Sequence, residues 1–351
     1  MKNTIKLFYW KPVTDKWDIK EGEPLLNFGD ELGPEIIERL FGYRIDWASD
    51  INKAELISIG SVLQLISGDK DKTDGQMINV WGSGFIEKND YIVQDYLEFH
   101  SVRGKLTRDC LPKKYQDIPI GDPGLLSNLA FERSDKKTNK IGVIPHMVDR
   151  DLLIIKKLEK DSRFTIINPV DRPGNVIRKI TECRLILSSS LHGLIVADSF
   201  NIPNFHLKFS SNLTGGEDDY KFNDYYSATG QEYVKADIEN IFDDKYLEKI
   251  IKDYKSVDNL ARIQKELKKS FPYPVRKINK AELADLEAYR KEYEFRELNS
   301  NLRDRIKKRD VKIGKLKSQN ATLKGEIDAY LSVRRSLKLF FGNMKRYITK
   351  K

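Results

Sequence analysis

Short apolar runs of β type alternate along this chain with stretches whose apolar residues recur at helical spacing. IKLFYW is followed by PEIIERLFG, then AELISIGSVLQLI, then INVWGSGF, then a strand ending at Val102-Arg103-Gly104 and a helical stretch around LTRDCL. This alternation predicts βαβ units and a parallel sheet. The first such lobe, residues 1–130, closes around Asp122–Leu126, and the polar stretch FERSDKKTNK at 131–140 reads as a linker.

The same rhythm then restarts. KIGVIPHM leads into a helix through DLLIIKKLEK, a strand at FTIINPV, a helix around NVIRKITEC, and RLILSSS running into LHGLIVADSF. The pattern turns helical from about residue 236, and the two prolines of FPYPVRK at 271–277 interrupt any continuous helix. The expectation is therefore an α/β protein with a second lobe over 138–275 and a cleft between the lobes. Ligands of doubly wound sheets sit at the carboxyl ends of strands, so chemistry is sought at the strand-to-loop junctions.

Beyond the lobes, residues 280–351 read as a helical tail. Leu302, Ile306, Ile313, Leu316, Leu323, Ile327 and Tyr330 fall on alternating three- and four-residue steps, with Arg309 and Asn320 at other seam positions. That spacing suits either a short coiled coil, through which the chain could self-associate, or an amphipathic helix docked on the body. Residues 331–351 mix Leu337, Leu339, Phe340, Phe341 and Met344 with clustered Lys and Arg, a composition suited to an anionic membrane surface.

Charge sharpens this division. Residues 301–351 hold 16 Lys and Arg against 4 Asp and Glu, which is +12 in a chain of net +9, so the first 300 residues carry −3. A mildly acidic body gives no compositional case for nucleic-acid binding. Two cysteines, Cys110 and Cys183, are too few for a disulfide framework, and they lack the paired spacing of a zinc site. The expectation is a cytoplasmic protein, peripheral at the inner face of the membrane, with no run of about 18 apolar residues to span it.

Several junctions could carry chemistry. NFGDELG, with Asn27, Gly29 and Asp30, precedes the helix PEIIERLFG; it suits either an anion held by backbone N–H groups or an acidic helix start. Gly60-Ser61 and Gly82-Ser83 each follow a β-type run, where small residues admit a ligand or simply make a tight turn. Arg103 ends a strand and could hold phosphate or carboxylate. In the second lobe His146 follows KIGVIP, and LILSSS delivers Ser189, Ser190, Leu191 and His192 to a strand end. His192 is the strongest single candidate for proton transfer, with Asp30 and His146 in support. No Walker loop, dinucleotide fingerprint, nucleophile elbow or metal-ligand set is present in the sequence, so neither cofactor nor metal is expected.

The ordered series NFGDELG, GSVL, VWGSG, VRGKLT, GDPGLL, IPHMVD, INPVD, SSSLHGLIVADSFNIPN and KFNDYYSATG, over roughly residues 5–235, resembles the polysaccharide pyruvyl transferase family. The resemblance implies two Rossmann-like lobes in a GT-B-like arrangement. It implies transfer of a pyruvyl group from phosphoenolpyruvate onto two hydroxyls of one sugar, as a cyclic ketal, in a capsule, exopolysaccharide or cell-envelope saccharide that can be lipid-linked. Lys208 and Lys221 join the substrate-binding candidates on that basis. Many relatives carry an arginine two positions before the histidine, where this chain has Ser190; by motif position Arg103, Arg184 and Lys208 are the nearest replacements. Two other functions fit a two-lobed scaffold, a nucleotide-sugar glycosyltransferase and a non-catalytic scaffold of envelope-polymer assembly.

Overall fold

In the computed structural model of the chain, the described residues are 3–11, 26–66, 75–88, 94–209, 219–296, 299 and 303. The candidate coiled-coil seam beyond residue 303 and the basic segment 331–351 lie outside them. The chain divides into two compact units, Met1–Trp17 with Leu25–Lys291, and Asp18–Pro24 with Glu292–Lys351. All elements named below lie in the first unit.

Two parallel sheets organise it. The first is built from β1 (Thr4–Phe8), β2 (Arg44–Trp47), β3 (Leu56–Ile57), β4 (Ile78–Trp81) and β5 (Leu97–Ser101), in the order β2-β1-β3-β4-β5. The second holds β6 (Ile141–Ile144), β7 (Phe164–Ile166), β8 (Leu185–Ser188) and β9 (Asn204–His206), in the order β7-β6-β8-β9. Among the described residues the helices are α1 (Phe28–Phe41), α2 (Lys105–Asp109), α3 (Ser127–Ala130), α4 (Leu153–Lys160), α5 (Pro173–Glu182), α6 (Leu191–Ser199), α7 (Tyr220–Thr229), α8 (Asp244–Asp253) and α9 (Leu260–Lys269). Residues 280–291 are also helical.

Both strand orders reverse direction once, between β1 and β3 in the first sheet and between β6 and β8 in the second. A reversal leaves a crevice at the carboxyl ends of the two strands, where their connections diverge. The strands themselves are apolar on both faces. Ile5 and Leu7 of β1 join one cluster and Phe8 another, while in β8 Leu185 and Leu187 face one cluster and Ile186 the other. One cluster runs without a break from β1 through Ile36 and Phe41 of α1 and Ile177 of α5 to Ile195 of α6 and Ile186 of β8. The two sheets thus share a core.

Helix α1 starts earlier than the sequence pattern indicated. Residues 27–33, expected as a loop before the helix, form its cap and first turns. The Asn27 side chain accepts from the Gly29 N–H at 3.1 Å, and Pro34 sits inside the helix, with no N–H to offer the Asp30 carbonyl one turn back. The helix ends at Gly42, whose φ of 73° is the left-handed cap conformation.

The C-terminal part of the unit packs back on the first sheet. Trp81 Nε1 donates to the Leu267 carbonyl at 2.9 Å, and Phe271 stacks on Phe41 with centroids 3.9 Å apart. Arg290 then lies against the acidic face of α1, with its guanidinium 3.2 Å from Glu31, 3.4 Å from Glu35 and 3.1 Å from Glu38. Lys11 Nζ takes the other oxygen of Glu31 at 2.6 Å. Buried carboxylates on one helix face are costly alone, and these are met by cations from distant segments.

Candidate active site

Each crevice carries residues that the sequence marked. At the first, the N-terminal turn of α1 places Gly29 and Asp30 beside Gly60, which follows β3. Gly60 has φ 112°, and a Cβ there would lie 3.2 Å from Asp30 Oδ1. Only a residue tolerant of positive φ and without a side chain suits that position. At the second, His146 follows β6, and Ser189, Ser190, Leu191 and His192 follow β8.

The two crevices meet. A Cβ on Gly29 would stand 2.2 Å from Nδ1 of His192, so the start of α1 and the start of α6 touch through an imidazole and a bare backbone. The Phe28 N–H adds a 3.0 Å bond to the Pro169 carbonyl, in the loop after β7.

Burial sets the protonation of this group. His192 is pushed down to about 3, first by burial and then by Lys221, Arg103 and His146, so its ring is neutral at physiological pH; Nε2 is buried with no hydrogen-bond partner among the described residues. His146 is likewise pushed down to about 3 by burial and Lys221. Asp30 goes the other way. Burial, then its neighbour Glu31, raise its carboxyl to about 8 against the pull of Lys221 and Lys11, so it holds a proton at neutral pH. A protonated acid and a neutral base therefore stand on facing helix starts.

The serines after β8 build the loop. Ser188 Oγ donates to the Ser190 carbonyl at 2.8 Å, and Ser189 Oγ donates to Asp149 Oδ2 at 2.8 Å while accepting the His146 N–H at 2.7 Å. Ser190 is the residue before the first turn of α6, and its side chain does not cap the helix. Leu191 packs into the shared core. At its other end α6 is anchored by Asp198, whose carboxylate accepts from Asn204 (2.6 Å), Tyr225 (2.7 Å), Tyr254 (2.8 Å) and Gln231 (3.3 Å).

Arg103, read from the sequence as an anion ligand, is 1% exposed and occupied. Its Nε donates to Asp224 Oδ2 at 2.9 Å, and its terminal nitrogens to Ser61 Oγ and the Phe85 carbonyl, each at 2.5 Å. Ser61 thus serves the guanidinium, and Ser83 Oγ donates to the Gly60 carbonyl at 2.8 Å. Gly82, with φ 80°, is packed so closely on Pro123 that a Cβ would lie 2.1 Å from its Cδ. Lys208 Nζ is 3.7 Å from Asp219, which also pairs with Lys235. Arg184 precedes β8, at the end opposite the histidine, and pairs with Glu248.

Sequence reasoning missed Asp224 and His206. Asp224 lies 121 residues from Arg103, and although it falls within KFNDYYSATG nothing in the sequence pairs the two. His206 ends β9, stacks on Phe222 at 3.9 Å, bonds Tyr233 at 2.5 Å, and keeps Nε2 buried without a partner among the described residues. Among those residues no group of three His, Cys, Asp or Glu side chains is placed to hold a metal ion, and no helix is long and apolar enough to cross a membrane.

Residues 78–211 match the model of the polysaccharide pyruvyl transferase family, the family that the motifs resemble. The chain is 28% identical over 216 residues to an uncharacterised protein of Acanthamoeba polyphaga mimivirus, covering 59% of this chain and 72% of that one. It is 25% identical over 219 residues to the succinoglycan biosynthesis protein ExoV of Rhizobium meliloti, covering 62% of this chain and 65% of that protein, just under two thirds of its length.

Proposed function

We propose that this chain, whose residues 78–211 match the polysaccharide pyruvyl transferases, moves a pyruvyl group from phosphoenolpyruvate onto two hydroxyls of one sugar in a cell-envelope, capsule or exopolysaccharide. The name of the Rhizobium relative, a succinoglycan biosynthesis protein, supports a polysaccharide setting. In this reading the two sheets are the two lobes of a GT-B-like transferase, over residues 1–130 and 138–275, and the substrates enter where their crevices meet. The observation that carries the reading is the contact between Gly29 and His192, which sets a protonated carboxyl and a neutral imidazole in one site.

The chemistry requires that pair of protonation states. Asp30 gives its proton to C3 of the enol, and positive charge develops at C2. One sugar hydroxyl bonds to C2 as its proton passes to His192; the C2–O bond to phosphate then breaks and phosphate departs. The second hydroxyl bonds to C2 and passes its proton to the Asp30 carboxylate, closing the ketal, while the proton that His192 took leaves with the phosphate. His146 supports the proton traffic from the neighbouring strand end, while Asn27, Gly29, Gly60, Gly82, Ser83, Ser190 and the N–H groups around them shape the cleft.

The test is phosphate release from phosphoenolpyruvate by purified protein, with and without lipid-linked or synthetic galactosyl, glucosyl and N-acetylmannosaminyl acceptors. Acceptor-dependent release, with a mass gain on the sugar matching a pyruvate ketal, is the expected result. Turnover of a sugar nucleotide instead would transfer the chain to the glycosyltransferases, and wild-type turnover by a folded His192→Ala variant would remove the base from this scheme. We assign residues 301–351 to an anionic membrane surface or to self-association at the cytoplasmic face. A full-length chain that stays monomeric and ignores anionic vesicles at low salt would refute both.

A further inference from the structure

We propose that the chain carries a second binding site, for a saccharide bearing a carboxylate, at the end of α6 opposite His192. The ketal of the reaction proposed above is one such ligand, but the site is inferred from its own lining and does not depend on that reaction.

A cavity of about 680 Å³ lies there, lined among others by Asn128 and Leu129 of α3, by Phe131, Glu132 and Arg133 of the segment linking the two sheets, and by Asn201 just after α6. Volumes of roughly 300–1,000 Å³ are usual for ligand sites. Helix α6 starts at the carboxyl end of β8 and crosses back to β9, which runs parallel to β8, so the cavity opens at the amino edge of the second sheet. From His192 to Phe200 the helix rises about 12 Å, at about 1.5 Å per residue. The cavity therefore belongs to neither crevice.

Local structure keeps its walls apart. Asn201 takes the left-handed conformation, φ 54°, and turns the chain away from α6, with its N–H on the Asp198 carbonyl at 3.0 Å. Gln264 of α9 donates to the Leu125 carbonyl and to Asn128 Oδ1, each at 2.7 Å, which pins α3 and leaves Nδ2 of Asn128 as a donor. Phe131 is covered on one side by the Arg39 guanidinium, 4.6 Å from the ring centroid, and gives its remaining surface to the cavity.

Arg133 supplies the charge. One terminal nitrogen donates to the Phe200 carbonyl at the end of α6, and no carboxylate among the described residues pairs with the guanidinium. Its remaining N–H groups include a complete edge for a planar carboxylate. With Glu132 beside it, the lining holds little net charge, which favours a singly charged ligand rich in hydroxyls over a polyphosphate. Leu129, 46% exposed, and Phe131 give apolar surface to the C–H face of a sugar ring, while Asn128, Asn201 and Glu132 offer donors and acceptors to hydroxyls.

Calorimetric titration of the full chain with a glucose disaccharide, with its counterpart ending in glucuronate and with inorganic phosphate tests this. Wild type should bind the glucuronate form at least tenfold more tightly than the neutral one, and phosphate more weakly than the glucuronate form. Arg133→Gln, which keeps a donor for the Phe200 carbonyl, should abolish that preference. Asn201→Gly, which the left-handed backbone accepts, and Leu129→Asp should each weaken the glucuronate form at least threefold. Glucuronate binding no tighter than neutral, or left unchanged by a folded Arg133→Gln chain, overturns the site; should that variant fail to fold, unchanged binding in the other two does so. Phosphate bound as tightly as glucuronate overturns the saccharide. Phosphate release from phosphoenolpyruvate should be the same in all three variants as in wild type, and its absence from wild type would end the pyruvyl-transfer reading without touching this site.

Discussion

Gly29 and His192 occupy one another's space: the imidazole Nδ1 stands 2.2 Å from the point where any side chain on residue 29 would begin. Gly29→Ala must therefore displace the ring or the start of α1. Turnover should fall by one to two orders of magnitude, with a stability loss of about 1–3 kcal/mol, the usual cost of overpacking. Steady-state kinetics beside a denaturant titration would separate the two effects, and an alanine variant with normal kcat would show that the contact has no role in the chemistry.

Asp30 should reveal itself through pH. Its folded carboxyl keeps a proton up to about 8, whereas a free aspartate loses it near 3.8, so the native state binds more protons than the unfolded chain between those values. Stability from this group is present below about pH 4 and is lost as pH rises through about 8. Asp30→Asn should flatten that decline and raise the melting temperature at pH 8. It should also lower turnover by about 10²–10⁴-fold, the range for a lost general acid. A variant that is destabilised at pH 8 would contradict the buried, protonated acid.

The histidines set the opposite limb. His146, His192 and His206 are all depressed to about 3 with burial the first cause, so the unfolded chain takes up protons that the fold refuses. The stability they contribute is complete above about pH 6.5 and is lost as pH falls toward 3. Chemical denaturation from pH 4 to 7 should show a steep rise, and His206→Phe, which preserves the ring stack, should reduce it.

Arg290 joins residues 280–291 to α1 through three carboxylates. Arg290→Met would leave Glu31, Glu35 and Glu38 buried beside one another with less positive charge, which should cost about 3–5 kcal/mol. Because Glu31 precedes no loop but adjoins Asp30 directly, phosphate release should fall along with stability. A variant that melts like wild type would show that Lys11 on Glu31 and Arg39, whose guanidinium is 3.6 Å from Glu35, suffice for that face.

The parts of the molecule that were legible in the sequence are those encoded locally. The run LILSSSLHG announces β8, the turn and α6, because three apolar residues, three small polar ones and a helix start follow in order. The start of α1 was hidden, since Gly29, Gly33 and Pro34 all argue against helix by propensity; Gly29 answers to His192, 163 positions along the chain. Strands β2 and β9 are four and three residues long and exist through pairing with β1 and β8, which no short window contains. Arg103 looked available because its partner Asp224 lies in another part of the chain, and residues 280–291 looked like the start of a tail because Arg290 finds Glu38 252 residues away.

The four donors gathered on Asp198 fix the far end of the helix whose first turn bears His192. A rod secured at its base lets the surroundings of its tip change without swinging the tip itself. Substitutions in the exposed part of the loop that follows β6, at Val148 for one, should then leave the imidazole at its address.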